Sequence, residues 1–429
     1  MDYNTSQWNG QQVSVDMLEE KTTFPVCTAM DVCENFLLLG MSSLYGNYWF
    51  GNLNVYRLDN NEPCPLRSTC IKTDVGDVED ITPCLVCSTS LEASVASVAA
   101  VNGHKDRESV AVLGLDDGSV QLVTVSNAMS ESGNGERPSI SINSATYHDW
   151  PIERVVTMTD RMASLDVAGS AKIWDLEKLI PASCWHIGSS AWPLCGQSIP
   201  PDMCVKPHPE QQLLATLLPC DKNRQLSVWD HRASSVSGPS LQWSCVVGDR
   251  VIDLPMSVAW TSPYTLVVGS FNGLLYMIDV RNVLDKSGKP SVILPDLAID
   301  TRKWFQKPST PLKGGENQIA RIVSGPPETN YIALLGRGGS VSVCESTSED
   351  GCVLRYSRQN PTIISPQSAL LQPCCGVFMP PLADSAKWRL LVSPGTFDGP
   401  QSKLFTSPER LLHFDSQFVQ KRLFVSQID

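Results

Sequence analysis

The sequence predicts an all-β chain folded as one seven-bladed WD-repeat β-propeller. Three observations predict it. Short strand-like runs end repeatedly in the same frame, of which Ala171-Lys172-Ile173-Trp174-Asp175 and Leu226-Ser227-Val228-Trp229-Asp230 are the clearest. These endings recur at about 50–65-residue intervals, somewhat longer than a usual WD repeat. Between them, β-branched and apolar runs alternate with Gly, Pro and Asn turns, and no sustained helical periodicity intervenes.

The unit before Val280 shows the grammar best. Ser257-Val258-Ala259-Trp260 is a strand, Ser262-Pro263 a turn, and Thr265–Gly269 a second strand. Phe271-Asn272-Gly273 is the next turn, and Leu274–Asp279 closes the unit. Glycine suits that second turn because it accepts positive φ without a Cβ clash. The same order is expected at 96–125, 151–176, 203–230 and 319–345, with Trp174, Trp229 and Ile278 at equivalent third-strand positions. Phe36–Met41 and Leu53–Tyr56 make the first unit. A seventh is expected at 371–405, where Lys387–Val392 is a good strand and the closing strand is weak.

The blades should therefore cover about residues 20–410 of a single domain spanning 1–429, with surface loops near 60–79, 126–144 and 283–318. A propeller avoids open edges by closing its ring. Either Gln12–Leu18 or Arg422–Gln427 could complete the last blade, and the usual propeller logic favours the N-terminal run.

Composition narrows the function classes. The 42% hydrophobic and 18% charged residues suit an ordinary globular chain. No stretch approaches the ~18 consecutive apolar residues of a membrane span. The N-terminus lacks the basic-then-apolar order of a secretory signal. A net charge of −12 disfavours nucleic acid and modestly favours basic partners. The fifteen Cys are odd in number, and Cys27, Cys204, Cys245 and Cys344 fall within strand-like runs. That usage fits reduced thiols, so a cytoplasmic and nuclear location is expected.

Catalytic signatures are missing. The sequence has no phosphate-binding loop and no nucleophile elbow, and Gly336–Gly339 leads into a strand where phosphate binding needs a helix. Six scattered His residues name no triad, so the chain is expected not to be an enzyme and to need no cofactor. Cys84-Leu85-Val86-Cys87 has zinc half-site spacing, but no second half stands at regular spacing, and no metal is expected.

The least ordinary segment is the first hairpin. Residues 44–50 read Leu-Tyr-Gly-Asn-Tyr-Trp-Phe, where hairpin tips usually carry small polar residues. Leu44, Tyr45, Tyr48, Trp49 and Phe50 are thus the candidate partner-binding residues, expected on a loop between the two strand-like runs. Aromatic side chains there need a local core or a partner, and the residues alone leave both open.

Leu37-Leu38-Leu39-Gly40-Met41-Ser42-Ser43-Leu44, with Gly46, Trp49, Gly51 and Leu53, resembles the first blade of the methylosome protein 50 family. Other segments resemble that family in the same order. They are Lys72–Gly76 with Val78 and Asp80, then Asp117–Val120, Lys172–Leu176, Trp229-Asp230 with Arg232, Ser257–Trp260 and Asn272-Gly273. The resemblance spans about residues 24–282 and fades beyond. The long loops, the weak last blade and the scarcity of Gly-His pairs depart from it.

The resemblance implies a non-catalytic, hetero-oligomeric WD-repeat subunit. It would bind the N-terminal barrel domain of a type II protein arginine methyltransferase and activate that enzyme. It would also help present Arg-rich substrates such as histones and Sm-type splicing proteins. It makes Trp49 the anchor at the enzyme, with Tyr45, Tyr48, Phe50 and Leu44 around it. S-adenosylmethionine would bind the partner, and this chain would carry no cofactor. Two alternatives belong to other classes. Trp229-Asp230-His231-Arg232 has the form found in substrate receptors of cullin-type ubiquitin ligases, and a structural propeller of another assembly needs no special motif at all.

Overall fold

The computed structural model describes residues 26–33, 36–45, 48–57, 84–101, 108–126, 139–158, 161–186, 201–206, 213–220, 223–232, 239–247, 250–251, 253–280, 298–304, 319–326, 329–336, 340–347, 351–359, 375–379, 389–393 and 424–427. Among them every regular element is a β-strand. The first sheet is β1 (Val26–Cys33), β2 (Phe36–Tyr45), β3 (Tyr48–Arg57) and β4 (Cys84–Leu91). The second is β5 (Val95–Val101), β6 (Glu108–Leu115), β7 (Ser119–Ser126) and β8 (Ser139–Thr146). The third is β9 (Ile152–Thr157), β10 (Arg161–Asp166), β11 (Ser170–Asp175) and β12 (Ile180–His186). The fourth is β13 (Asp202–Val205), β14 (Leu213–Cys220), β15 (Asn223–Asp230) and β16 (Leu241–Ser244), followed by a small ribbon of β17 (Val246–Val247) and β18 (Arg250–Val251). The fifth is β19 (Pro255–Ser262), β20 (Thr265–Ser270), β21 (Leu274–Asp279) and β22 (Ala298–Asp300). The sixth is β23 (Ile319–Ser324), β24 (Tyr331–Gly336), β25 (Ser340–Thr347) and β26 (Gly351–Gln359). The seventh has three described strands, β27 (Cys375–Met379), β28 (Arg389–Ser393) and β29 (Phe424–Gln427).

Each sheet is an antiparallel meander, and each first strand neighbours the first strand of the next sheet. β1 neighbours β27 as well, so the sheets close into a ring with their first strands innermost. This is the radial repetition of a propeller, which leaves only short edges. Hydrophobic clusters fill the joints between sheets. Leu38, Leu53 and Val95 meet Leu113 at the first joint, and Cys27, Leu37 and Leu39 meet Cys375 and Val377 at the last. Trp174, Trp229 and Ile278 are each the penultimate residue of a third strand, as the shared frame predicts.

Side-chain bonds to backbone stitch the inner strands together. Asp31 accepts from the Ala100 amide at 2.7 Å, and Thr157 donates to the Ala100 carbonyl at 2.6 Å. The Val155 amide donates to Ser97 Oγ at 3.1 Å. Asp202 takes the Ser257 hydroxyl at 2.6 Å and the Val258 amide at 3.0 Å, and Ser257 Oγ then accepts from the Ile322 amide at 3.0 Å. Buried groups so paired avoid the desolvation cost of an unmade bond.

Several expectations need correction. Fourth strands are present where loops were expected. β8 begins within 126–144 and runs on to Thr146, and β22 lies inside 283–318. β8 reads Ser-Ile-Ser-Ile-Asn-Ser-Ala-Thr and faces solvent over much of its length, so its pattern is too polar to stand out. Residues 60–79 lie outside the described residues. The seventh unit does not close before 405, because its third strand is Phe424–Gln427 from the C-terminal run. Gln12–Leu18 lies outside the described residues. Cys245 is buried between β16 and β17 rather than within a strand.

Candidate functional site

The aromatic segment is not a long loop. β2 runs through Leu44 to Tyr45, and β3 begins at Tyr48, so only residues 46 and 47 lie between them. The ladder pairs Leu44 with Trp49 and Tyr45 with Tyr48, continuing Ser43 with Phe50 and Ser42 with Gly51. The aromatic residues at 45 and 48–50 favour extended pairing, which carries the strands further than the flanking runs suggested. The side chains of Leu44, Tyr45, Tyr48 and Trp49 lie outside the described residues, while Phe50 is exposed at 37%.

The stem of this hairpin is held tightly. A Cβ on Gly51 would sit 2.2 Å from the Ala93 carbonyl oxygen, so only glycine allows β3 this close to the next sheet. Ser94 Oγ donates to the Phe50 carbonyl at 3.5 Å. The Ser94 amide donates to Asp116 Oδ1 at 2.9 Å, and the Asp116 amide returns a bond to the Ser94 carbonyl at 3.1 Å. Burial raises the Asp116 carboxyl above its ordinary value. A Cβ on Gly118, at φ +82°, would sit 2.4 Å from the His148 carbonyl oxygen. The first hairpin, the Asp116–Gly118 turn and the Tyr147–Pro151 connection therefore form one continuous face across three sheets. Tyr147 and Trp150 are exposed there, at 47% and 49%, as are Glu92, Asp117 and Asp149. Neither of these aromatics has a distinguishing sequence signal, because Thr146–Pro151 reads as an ordinary polar connection.

Beneath this face lies an arrangement that the sequence left scattered. His148 Nδ1 is 2.9 Å from Asp166 Oδ2, and His148 Nε2 is 2.7 Å from Ser164 Oγ. The Trp174 indole N–H donates to the same Ser164 Oγ at 2.7 Å. An indole nitrogen only donates, so Ser164 Oγ accepts from Trp174 while it also meets His148 Nε2, and the second ring nitrogen meets Asp166. This is the hydrogen-bond order of a Ser-His-Asp triad. Here it serves the fold. Ser164 and Trp174 are fully buried, and the serine hydroxyl bonds both the indole and the imidazole. The other Asp166 oxygen caps the Ala168 and Ser170 amides at 3.0 and 2.8 Å. Weaker versions recur in the next sheets, with Trp229 Nε1 on Thr216 Oγ1 at 3.0 Å and the Tyr276 hydroxyl on Asp253 at 3.2 Å. A His placed 18 residues before a turn Asp, ahead of Trp-Asp, is the sequence signal that could have found the full network.

The ring centre carries one distinctive charge. Inner strands have a one-residue bulge at Thr28, Ala96, Glu153, Met256 and Ala320. A bulge re-aims its extra residue, and at Glu153 that residue is a carboxyl. Burial pushes the Glu153 carboxyl up to about 8, with Asp202 nearby adding to it and Arg154 and Arg224 opposing it. Arg224 is itself buried, donating to the Pro255 and Met256 carbonyls at 2.8 and 2.9 Å. An acid raised from 4.5 to about 8 binds its proton more tightly folded than unfolded. The stability that Glu153 contributes should then be full below about pH 4.5 and fall as pH rises toward 8. Part of the Glu153 surface stays open, so the loss is expected to be on the order of 1–3 kcal/mol. Glu153→Gln should flatten that decline in urea unfolding at acidic and weakly basic pH, and an unchanged pH slope would show that Glu153 is not its source.

The remaining motifs are tied into the fold. Arg232 makes a two-point contact with Asp230, Nε to Oδ1 at 2.9 Å and Nη2 to Oδ2 at 2.7 Å, while its amide donates to Oδ1 at 3.0 Å. Arg302 repeats this on Asp300, so the pairing is a turn cap found more than once. Cys84 and Cys87 belong to β4, and burial raises the Cys87 thiol. Among the described residues no group of three or more His, Cys, Asp or Glu could hold a metal.

No protein-family model matches the chain, and no curated protein matches it. Solved structures do. Sqt1 from Chaetomium thermophilum aligns with TM-score 0.53 at 13% identity, covering 88% of this chain and 84% of that one. A chain of the mitotic checkpoint complex aligns with TM-score 0.50 at 12% identity, covering 86% of this chain and 91% of that one. Both are WD40 propellers, and at these identities the likeness establishes the fold.

Proposed function

We propose that this chain is a non-catalytic interaction scaffold whose first-sheet hairpin docks a type II, symmetric protein arginine methyltransferase. The observation that carries the reading is the aromatic hairpin itself. It presents Phe50 to solvent at the rim of a rigid ring, on a stem anchored through Gly51 and Ser94. Rigid aromatic anchors on a fixed scaffold are what interface hot spots require. The same hairpin carries the resemblance to the methylosome protein 50 family, which supplies the partner's identity. Trp49 is the anchor, with Leu44, Tyr45, Tyr48 and Phe50 beside it, and the N-terminal barrel domain of the enzyme is its target.

The scaffold contributes no methyl-transfer chemistry. It holds the enzyme in its working assembly and gathers basic substrates, with histone and Sm-type tails as the expected class. The face holding Phe50, Tyr147 and Trp150 among Glu92, Asp117 and Asp149 supports that role. A guanidinium gains both from carboxylates and from aromatic faces.

Methylation of an Arg-rich tail peptide should be absent with this chain alone and faster with chain and enzyme together than with enzyme alone. Activity from the chain by itself, or no change on adding it, would overturn the proposal. Recovery of a cullin-ligase adaptor in place of the methyltransferase would favour the receptor reading.

A further inference from the structure

Two thiols meet where the ring closes. Cys27 on β1 and Cys375 on β27 lie 348 residues apart in the chain, yet their sulfurs are 3.9 Å apart. Both are buried, within a cluster that includes Met30, Leu37, Leu39, Met41, Tyr56 and Val377. Cys27 Sγ also faces the Ala29 carbonyl at 3.5 Å, and Cys375 Sγ faces the Cys27 carbonyl at 3.8 Å. A disulfide needs its sulfurs at about 2.05 Å, so side-chain rotation and a small approach of the two strands would make the bond.

We propose that Cys27 and Cys375 are an oxidation site, forming a disulfide that latches the first sheet to the last. The oxidant is a peroxide, small enough to reach a buried joint when it opens briefly. One thiolate attacks the peroxide, breaking the O–O bond to give a sulfenic acid and hydroxide. The second thiol then attacks that sulfur, forming the S–S bond and expelling the hydroxyl group as water. Two thiols are oxidised, and one peroxide is reduced to two waters.

The position gives the bond its consequence. Among the described residues, the joint between β1 and β27 is held by side-chain packing and weak bonds. A cross-link there encloses nearly the whole chain, and long enclosed loops constrain the unfolded state most. The Cys344 and Cys352 thiols behave differently. They sit in one strand pair of the sixth sheet, so a bond between them would enclose a short segment and leave the ring's joint unchanged.

The test treats the full chain with hydrogen peroxide, in a Cys184→Ser background because Cys184 is exposed and would cross-link molecules. Non-reducing peptide mapping should find Cys27 joined to Cys375. The melting temperature should rise by several degrees and return on adding a dithiol reductant. Cys375→Ala should abolish both the linkage and the rise. If the folded chain is oxidised while Cys27 and Cys375 remain alkylatable, the site is not a disulfide pair. A linkage that leaves the melting temperature unchanged would overturn the latch.

Discussion

Trp174→Ala is expected to cost about 3–5 kcal/mol of folding stability. The side chain is fully buried between the second and third sheets, among Val112, Val120, Ile152 and Met162. Its loss opens a cavity that the surrounding β-strands cannot collapse to fill. It also removes the donor to Ser164 Oγ and loosens the hydrogen-bond chain through His148 to Asp166. Trp174→Phe keeps most of the volume and loses that donor, so it should cost less, about 1–3 kcal/mol. Urea unfolding followed by circular dichroism measures both. Equal losses in the two variants would show that the lost indole donor carries the whole effect and that the lost volume adds nothing. An alanine variant as stable as the native chain would contradict the description of this joint.

The legible part of this fold was the middle of each sheet. Second and third strands carry strong apolar alternation, with turn residues at their ends, as in Thr265–Asp279, and the sequence located them closely. Fourth strands were harder. β8 alternates Ile with Ser on a largely exposed edge, and β22 is a three-residue strand within a stretch that reads as a surface loop. Outer strands bury little, so selection on their apolar content is weak. The last sheet was misjudged for another reason. Its third strand comes from Phe424–Gln427, within the strand-like Arg422–Gln427 run that was the less favoured candidate to complete the last blade, because its pairing with the distant β28 is not local.

The candidate site was half legible. The unusual composition of residues 44–50 was plain, but its conformation was not. Aromatic content at a hairpin tip suggested a loop, whereas paired strands reach to Tyr45 and Tyr48. The exposed Tyr147 and Trp150 join the same face where Gly118, having no Cβ, lets the turn approach the His148 and Trp150 carbonyls. The Ser164–His148–Asp166 chain was missed because its members come from a connection and a strand that meet in the folded sheet, and the His-to-Asp spacing was its one local trace.

The second large effect concerns Trp49. As the anchor of a partner interface, Trp49→Ala should weaken binding to the methyltransferase by at least an order of magnitude, corresponding to about 2–4 kcal/mol. It should leave the melting temperature nearly unchanged, since removing a side chain from an interface takes little from the free ring. Trp260→Ala is the reference for a core position. Trp260 is buried at the joint of the fourth and fifth sheets, beside Val258 and Leu266, and its loss should lower stability by about 3–5 kcal/mol. Calorimetric titration of each purified variant against the enzyme's N-terminal barrel domain, with thermal unfolding on the same samples, separates the two roles. The scaffold account predicts lost binding with native melting for Trp49→Ala. Native binding by Trp49→Ala, or melting as early as that of Trp260→Ala, would contradict it.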